Sequence, residues 1–147
     1  MRTSLYFKTI TWFSNFHRFI LSISNGRWMR KLKGLDMLLL STRGRKTGKN
    51  RKTPLLYIKI GETYYSAASY GGNDSHPDWY LNIVDDSDVE LLVEQKWVKA
   101  KAKVELGSAR CYAWTKLTDN YPGFENYQKK TSRLIPVVSF NVVNTQN

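Results

Sequence analysis

The chain has a single cysteine, Cys111, and two histidines, His17 and His76, among its 147 residues. One thiol rules out disulfide frameworks, four-cysteine zinc sites and cysteine-held iron–sulfur clusters, and two imidazoles leave no histidine-built metal centre. No metal site is expected. Long apolar runs are missing as well: Lys8, Arg18 and Arg27 interrupt every window of the roughly 18 apolar residues that a membrane span requires. A cytoplasmic protein is expected, with any membrane contact confined to its surface. Acid is scarce in the first third, where residues 1–52 hold thirteen Lys and Arg against Asp36 alone. Residues 53–147 balance ten Lys and Arg with eleven acids, so the whole net charge of +11 is local. That distribution argues against a uniformly basic nucleic-acid coat and for a confined anion site, or a basic flank facing a membrane. A composition 41% hydrophobic and 24% charged excludes collagen-like, low-complexity and wholly disordered chains.

What is present is the pattern of one compact domain over residues 35–147, preceded by an N-terminal segment over residues 1–34. In that segment, residues 4–24 carry Tyr6, Ile10, Phe13, Ile20 and Ile23 at helix-like spacing between basic flanks. Such a helix packs on the domain's own core, covers a pocket, or rests on an anionic bilayer. Met37 to Leu40 reads as a buried strand, Pro54 to Ile60 and Thr63 to Ser69 as a hairpin turning at Gly61-Glu62. Val89 to Val93 and Trp97 to Val104 form a second hairpin, in which Val98, Ala100, Ala102 and Val104 alternate with Lys99, Lys101 and Lys103. Pro77 to Asp85 reads as a helix with Pro and Asp78 in its first turn. Two more helices, 109–120 and 123–132, break at Tyr121-Pro122-Gly123, and a last strand runs from Ile135 to Val143. The predicted class is α+β, built around a sheet or small barrel of mostly antiparallel strands rather than a Rossmann alternation.

Two segments bear chemistry. In residues 43–52, six of ten side chains are cationic, and Gly44, Gly48, Thr42 and Thr47 allow backbone N–H groups and hydroxyls to approach an anion. Gly44 to Gly48 is one residue short of a Walker A spacing, and Asn50 follows Lys49 where a hydroxyl would be needed. A solvated basic hairpin loop or a nucleic-acid patch shares this composition. The second segment, Ala67-Ala68-Ser69-Tyr70-Gly71-Gly72, ends a strand in small residues that give a flat ligand room, and Trp79 and Tyr80 follow on the next helix, as walls or as core aromatics.

LLLSTRGRKTGKNRKTPLLY, AASYGGNDSHPDWYLN and YPGFENYQKKTSRLIPVV, in this order from Leu35 to Val143, resemble the deazaflavin-dependent nitroreductase family. That branch of the split β-barrel flavin and deazaflavin oxidoreductases uses coenzyme F-420, an 8-hydroxy-5-deazaflavin. The resemblance implies a split β-barrel. It implies that Arg45, Lys46, Thr47 and Arg51 grip the cofactor's phosphate and acidic tail. Thr53, Pro54, Leu55 and Leu56, then Ala67, Ala68, Ser69 and Tyr70, then Asp78, Trp79, Tyr80, Leu81 and Asn82, correspond to segments around its ring and ribityl chain. Ser69, Tyr121 and Tyr127 fall on the reacting side, with Trp79 as part of an aromatic cover. Tyr70 stands where members often have Lys, Leu56 where some have Tyr, and Phe124 where the nitro-reducing members carry a hydroxyl. The reaction so implied is hydride transfer from the reduced deazaflavin to a quinone, an activated alkene or a nitro compound.

Three other readings remain at this level. One is a basic nucleic-acid-binding module, which the acid balance beyond residue 52 and the absence of recognisable signatures disfavour. Another is a split-barrel protein for FMN or haem, although FMN lacks the long acidic tail that so many cations would serve. A Cys111–His76 thiol pair is the last; Cys111 falls in an apolar helical pattern, where a packed small side chain is expected.

Overall fold

The computed structural model describes residues 31–32 and 34–144. The expected N-terminal helix, and all of residues 1–30, lie outside the described residues. Eight strands are described: β1 Lys31–Leu32, β2 Leu35–Arg43, β3 Asn50–Leu56, β4 Ile58–Ile60, β5 Thr63–Ala67, β6 Asp88–Val93, β7 Lys96–Val104 and β8 Val137–Val142. A 3-10 turn over Tyr70–Gly72 follows β5, helix α1 (Asp78–Asp85) separates β5 from β6, and helices α2 (Gly107–Asn120) and α3 (Gly123–Lys129) separate β7 from β8.

All pairings are antiparallel, in the order β1-β2-β6-β7-β8-β5-β4, with β3 on the other side of β2. β3 and β4 are separated by Tyr57 alone. One bent strand is therefore bonded to β2 at its beginning and to β5 at its end, which joins the two edges of the sheet into a split barrel. The Tyr57 N–H donates to the Asp36 carbonyl at 3.2 Å, so the bend leaves no orphaned backbone donor. Closure removes the exposed edges that a sheet rich in Leu and Val would otherwise present.

Alternation sets what lies inside. Leu38, Leu40, Leu55, Tyr57, Leu91, Ala100, Ala102, Val138 and Phe140 fill the barrel core together with Trp79 and Ile83 from α1. The opposite faces of β4, β5 and β8 bury Ala67, Val137 and Ile135 against Ala113 and Leu117 of α2 and Phe124 of α3. Lys99, Lys101 and Lys103 are exposed, in keeping with the alternation read for β7. The β6–β7 turn places Glu94 and Gln95 at φ 51° and 67°, a conformation suited to glycine or asparagine, which this turn does without.

Several elements differ from the sequence expectation. The basic stretch 43–52 is not one loop: β2 runs on to Arg43 and β3 starts at Asn50, because the polar residues Ser41 and Thr42 pair with Lys52 and Arg51 and extend the ladder. The sheet also reaches back before residue 35, through the pairs Lys31–Asp36 and Leu32–Leu35 across Gly34, whose φ of +82° makes the turn. Helix α3 ends at Lys129 rather than 132, and β8 begins at Val137. Cys111 is exposed, not packed: α2 buries Ala113, Leu117 and Thr118, a stripe that leaves position 111 on the solvent side.

Candidate functional site

The cationic hairpin turn between β2 and β3 is closed by Gly44 N–H donating to the Lys49 carbonyl at 2.8 Å and Gly48 N–H donating to Gly44 at 2.7 Å. A Cβ at 44 would stand 3.1 Å from both the Lys49 carbonyl and the Thr47 hydroxyl, so the turn would have to give by a few tenths of an ångström to hold a larger residue. The Thr47 Oγ1 accepts from the Arg51 Nη2 at 3.2 Å and from the Lys49 N–H at 3.3 Å, which draws the strand cation into the turn. Lys46 and Lys49 are exposed and form no ion pair with another described residue.

Arg45 is held differently. Its Nη2 pairs with Asp78 Oδ1 at 3.0 Å, and its Nη1 and backbone N–H donate to Asn82 Oδ1 at 3.0 and 3.2 Å. Asn82, only 4% exposed, donates through Nδ2 to the Oγ1 of Thr42, itself 2% exposed, at 3.2 Å. Both ends of this amide are satisfied, so the hairpin is fixed to α1 by a buried polar junction. Arg45, Asp78 and Asn82 thus orient the hairpin, and Lys46, Lys49, Thr47 and Arg51 present its donors. The donor set suits phosphate and carboxylate: cations, a hydroxyl and a glycine-lined backbone, with Asp78 as the acid paired to it.

The second segment begins where β5 leaves the sheet at Ala67. Ala68 lies in the barrel core, and its N–H makes a last bond of 2.8 Å to the Pro136 carbonyl. Tyr70, Gly71 and Gly72 then take left-handed φ values of 47°, 62° and 83° in succession, a costly arrangement for Tyr70. Gly72 faces α3 so closely that a Cβ would meet the Tyr127 carbonyl at 2.7 Å. Arg133, between α3 and β8, donates Nε to the Asn73 carbonyl at 2.7 Å, Nη1 to Ala68 at 3.2 Å and Nη2 to Ser69 at 2.9 Å. Its Nη1 also lies 3.2 Å from His76 Nδ1. Burial, and then the Arg133 charge, push the His76 pKa below its ordinary 6.5. His76 stacks on Tyr80 with ring centroids 4.7 Å apart. Segment 76–82 therefore meets Arg133, which holds the strand end, through His76 and bonds to the hairpin through Asp78 and Asn82, so the two motifs flank the start of α1.

The remaining expected residues divide between the two faces of the barrel wall. Leu55 joins the core inside, whereas Leu56 packs with the α2–α3 cluster outside, so neighbours on β3 do not share one surface. Thr53 and Pro54 pair with Leu40 and Leu39, and with Leu81 they are half-buried. Trp79, 7% exposed, packs 6.5 Å from Phe140 in the barrel core. Its ring is a core aromatic and is not free to cover a ligand, because the α1 stripe of Trp79, Asn82 and Ile83 points inward. Tyr121 and Tyr127 sit together on the helical side, their hydroxyls 3.2 Å apart, around buried Phe124. Arg133 was missed as a site-forming residue, and Thr42, read as a hydroxyl open to an anion, is instead buried and accepts from Asn82. An arginine without a nearby acid was the available signal for the first, and a threonine inside an apolar strand for the second.

Residues 14–142 match the F420H(2)-dependent quinone reductase family. A Mycobacterium tuberculosis enzyme of that description is 39% identical over 119 residues, spanning 78% of this chain and 80% of that enzyme. Among solved structures, an F420-H2 dependent reductase is 34% identical over 71% of this chain and 93% of its own, with a TM-score of 0.67. A haem storage protein of Vibrio cholerae covers 84% of this chain and 89% of its own at 14% identity and a TM-score of 0.55, which shows the split-barrel fold alone. The chain belongs to the F420H(2)-dependent quinone reductase family and is an oxidoreductase whose cofactor is the deazaflavin F-420.

Proposed function

We propose that the protein transfers reducing equivalents from reduced F-420 to a quinone at the site flanking the start of α1, and that activated alkenes and nitro compounds are secondary acceptors. The observation that carries this reading is the placing of an acid-poor cationic hairpin and a small-residue strand end on either side of the start of α1, the hairpin bonded to Asn82 and the strand end to Arg133, whose guanidinium meets His76. When bound, the deazaflavin supplies a hydride from its ring to the acceptor. Lys46, Lys49 and Arg51, with the Thr47 hydroxyl, bind the phosphate and acidic tail; Arg45 and Asn82 keep that hairpin in place. Ala67, Ala68, Ser69 and Tyr70, with Thr53, Pro54, Leu56, Tyr80 and Leu81, border the ring by their backbone and small or apolar side chains, and Leu55 backs them from the core. Tyr121 and Tyr127 exclude water on the acceptor side. In their hydroxyl pair one donates and the other keeps a proton to pass to reduced acceptor.

Residues 1–30, basic and rich in Tyr, Trp and Phe, rest on an anionic membrane in this proposal, so that a lipid-soluble quinone reaches the site directly. Among the described residues no helix is long and apolar enough to cross a membrane. The test is an anaerobic assay in which the purified protein reoxidises reduced F-420 with a menaquinone analogue, a nitroaromatic or an enone, with and without anionic liposomes. Turnover with the quinone above that with the others, raised by liposomes, is expected. No quinone-dependent reoxidation refutes the acceptor, and no sedimentation with liposomes at low salt refutes the membrane contact.

A further inference from the structure

We propose that Arg133 is a positioning residue of the ring site: its single guanidinium holds the carbonyls of Ala68, Ser69 and Asn73 and the Nδ1 face of His76, and so shapes the surface against which the deazaflavin ring lies. This rests on the reading that residues 67–70 border that ring. β5 ends at Ala67, and beyond it no ladder receives these carbonyls. Arg133 takes their place with Nε at 2.7 Å from Asn73, Nη2 at 2.9 Å from Ser69 and Nη1 at 3.2 Å from Ala68. Four of its five N–H donors are used, counting the contact to His76; the acid whose charge acts on it is Asp74, which accepts from the Thr131 hydroxyl through Oδ1. The strained run Tyr70-Gly71-Gly72 lies between its anchoring points, and left-handed backbone at a tyrosine persists only where surrounding contacts impose it.

The clamp is itself supported. Gln128 donates Nε2 to the Arg133 carbonyl at 2.8 Å and accepts the Ile135 N–H at 2.9 Å. Thr131 Oγ1 bonds to Asp74 Oδ1 at 2.8 Å and accepts the Arg133 N–H at 3.3 Å. For Nδ1 of His76 to bond to a group that can only donate, it must accept, and that bond requires the neutral imidazole with its proton on Nε2. The groups facing it are Arg133 from the α3–β8 connection and Tyr80 from α1. Lysine cannot reproduce this: one ammonium has three donors at a point, whereas the fork spans carbonyls up to five residues apart in sequence.

The experiment compares full-length wild type with Arg133→Gln and Arg133→Lys. It measures F-420 affinity by fluorescence titration, quinone KM and kcat at saturating reduced cofactor, thermal unfolding, and the tautomer of His76 by nitrogen NMR in a His17→Gln background. Both variants are expected to weaken F-420 about tenfold or more, as loss of charge-assisted bonds predicts, with quinone KM within about twofold of wild type. Turnover falls by a further factor of about ten or more, because a displaced ring is misaligned for transfer. Wild-type His76 should show the Nε2–H tautomer. If the variants unfold at lower temperature yet bind F-420 as tightly as wild type, Arg133 is only a structural staple and the proposal is overturned; an Nδ1–H tautomer in wild type overturns the histidine arm. Should Arg133→Gln not fold, Arg133→Lys decides by the same readings. Failure of wild type to bind F-420 sinks the cofactor site itself, a result distinct from equal binding by wild type and variants.

Discussion

Asn82→Ala is the perturbation whose cost can be worked most directly from the structure. The side chain accepts two bonds from Arg45 and donates one to Thr42. The bond between the two buried groups and the bond to the Arg45 backbone are neutral and worth about 0.5–1.5 kcal/mol each; the guanidinium bond is stronger in principle but is discounted because Arg45 is partly exposed. Removing Asn82 also leaves the Thr42 hydroxyl, 2% exposed, without that partner. Together these give a loss of about 2–4 kcal/mol. For a domain of this size that lowers Tm by roughly 5–15 °C. Thermal unfolding by circular dichroism measures it, and F-420 titration of the folded variant measures the second consequence, a weakened grip as the hairpin drifts from α1. Asn82→Asp keeps an acceptor for Arg45 and allows the Thr42 hydroxyl to donate, so it should recover part of both. A Tm within about 2 °C of wild type in Asn82→Ala would mean that the junction does not hold the hairpin to α1, because three such bonds cannot be lost at so small a cost.

Lys46→Ala and Lys49→Ala should each weaken F-420 by about 1.5–3 kcal/mol per charge-assisted contact while leaving Tm unchanged, since both side chains are exposed and unpaired with described residues; calorimetry and thermal melts separate the two effects. Gly72→Ala places a Cβ 2.7 Å from the Tyr127 carbonyl at φ +83°, and should cost about 2 kcal/mol or more, read from a denaturant midpoint. His76 titrates below its ordinary 6.5 in the folded state, so below that pH the unfolded chain binds a proton that the fold refuses. Stability should therefore fall as pH drops below about 6.5, and the slope should vanish in His76→Gln, as urea unfolding at several pH values would show.

Much of this fold was legible from local patterns. The β6–β7 hairpin was visible because Val98, Ala100 and Ala102 alternate with lysines, and the α2–α3 break because Pro122 cannot continue a helix. The closing of the barrel was not, since nothing in Leu56-Tyr57-Ile58 says that its two halves pair with different neighbours. Arg51 and Lys52 looked like loop because of their charge, yet the ladder needs only their backbones. Within the candidate site, the cations and the small-residue strand end were plain in the sequence. Which cations are free was not: Arg45 and Lys46 are adjacent, but only Arg45 meets Asp78 and Asn82, contacts 33 and 37 residues away. Trp79 took the core place that the sequence had left open beside a ligand wall, whereas Cys111 went to solvent against expectation, because the inward stripe of each helix is set by tertiary packing.

In the proposed function the hairpin between β2 and β3 holds the anionic tail of the deazaflavin. Calorimetric titration of the full-length protein with F-420 and with FMN, at low and at physiological salt, tests it most directly. F-420 should bind more tightly than FMN, and its affinity should fall as salt screens the hairpin cations over roughly 8 Å. Equal or tighter binding of FMN, or an F-420 affinity indifferent to salt, would contradict it.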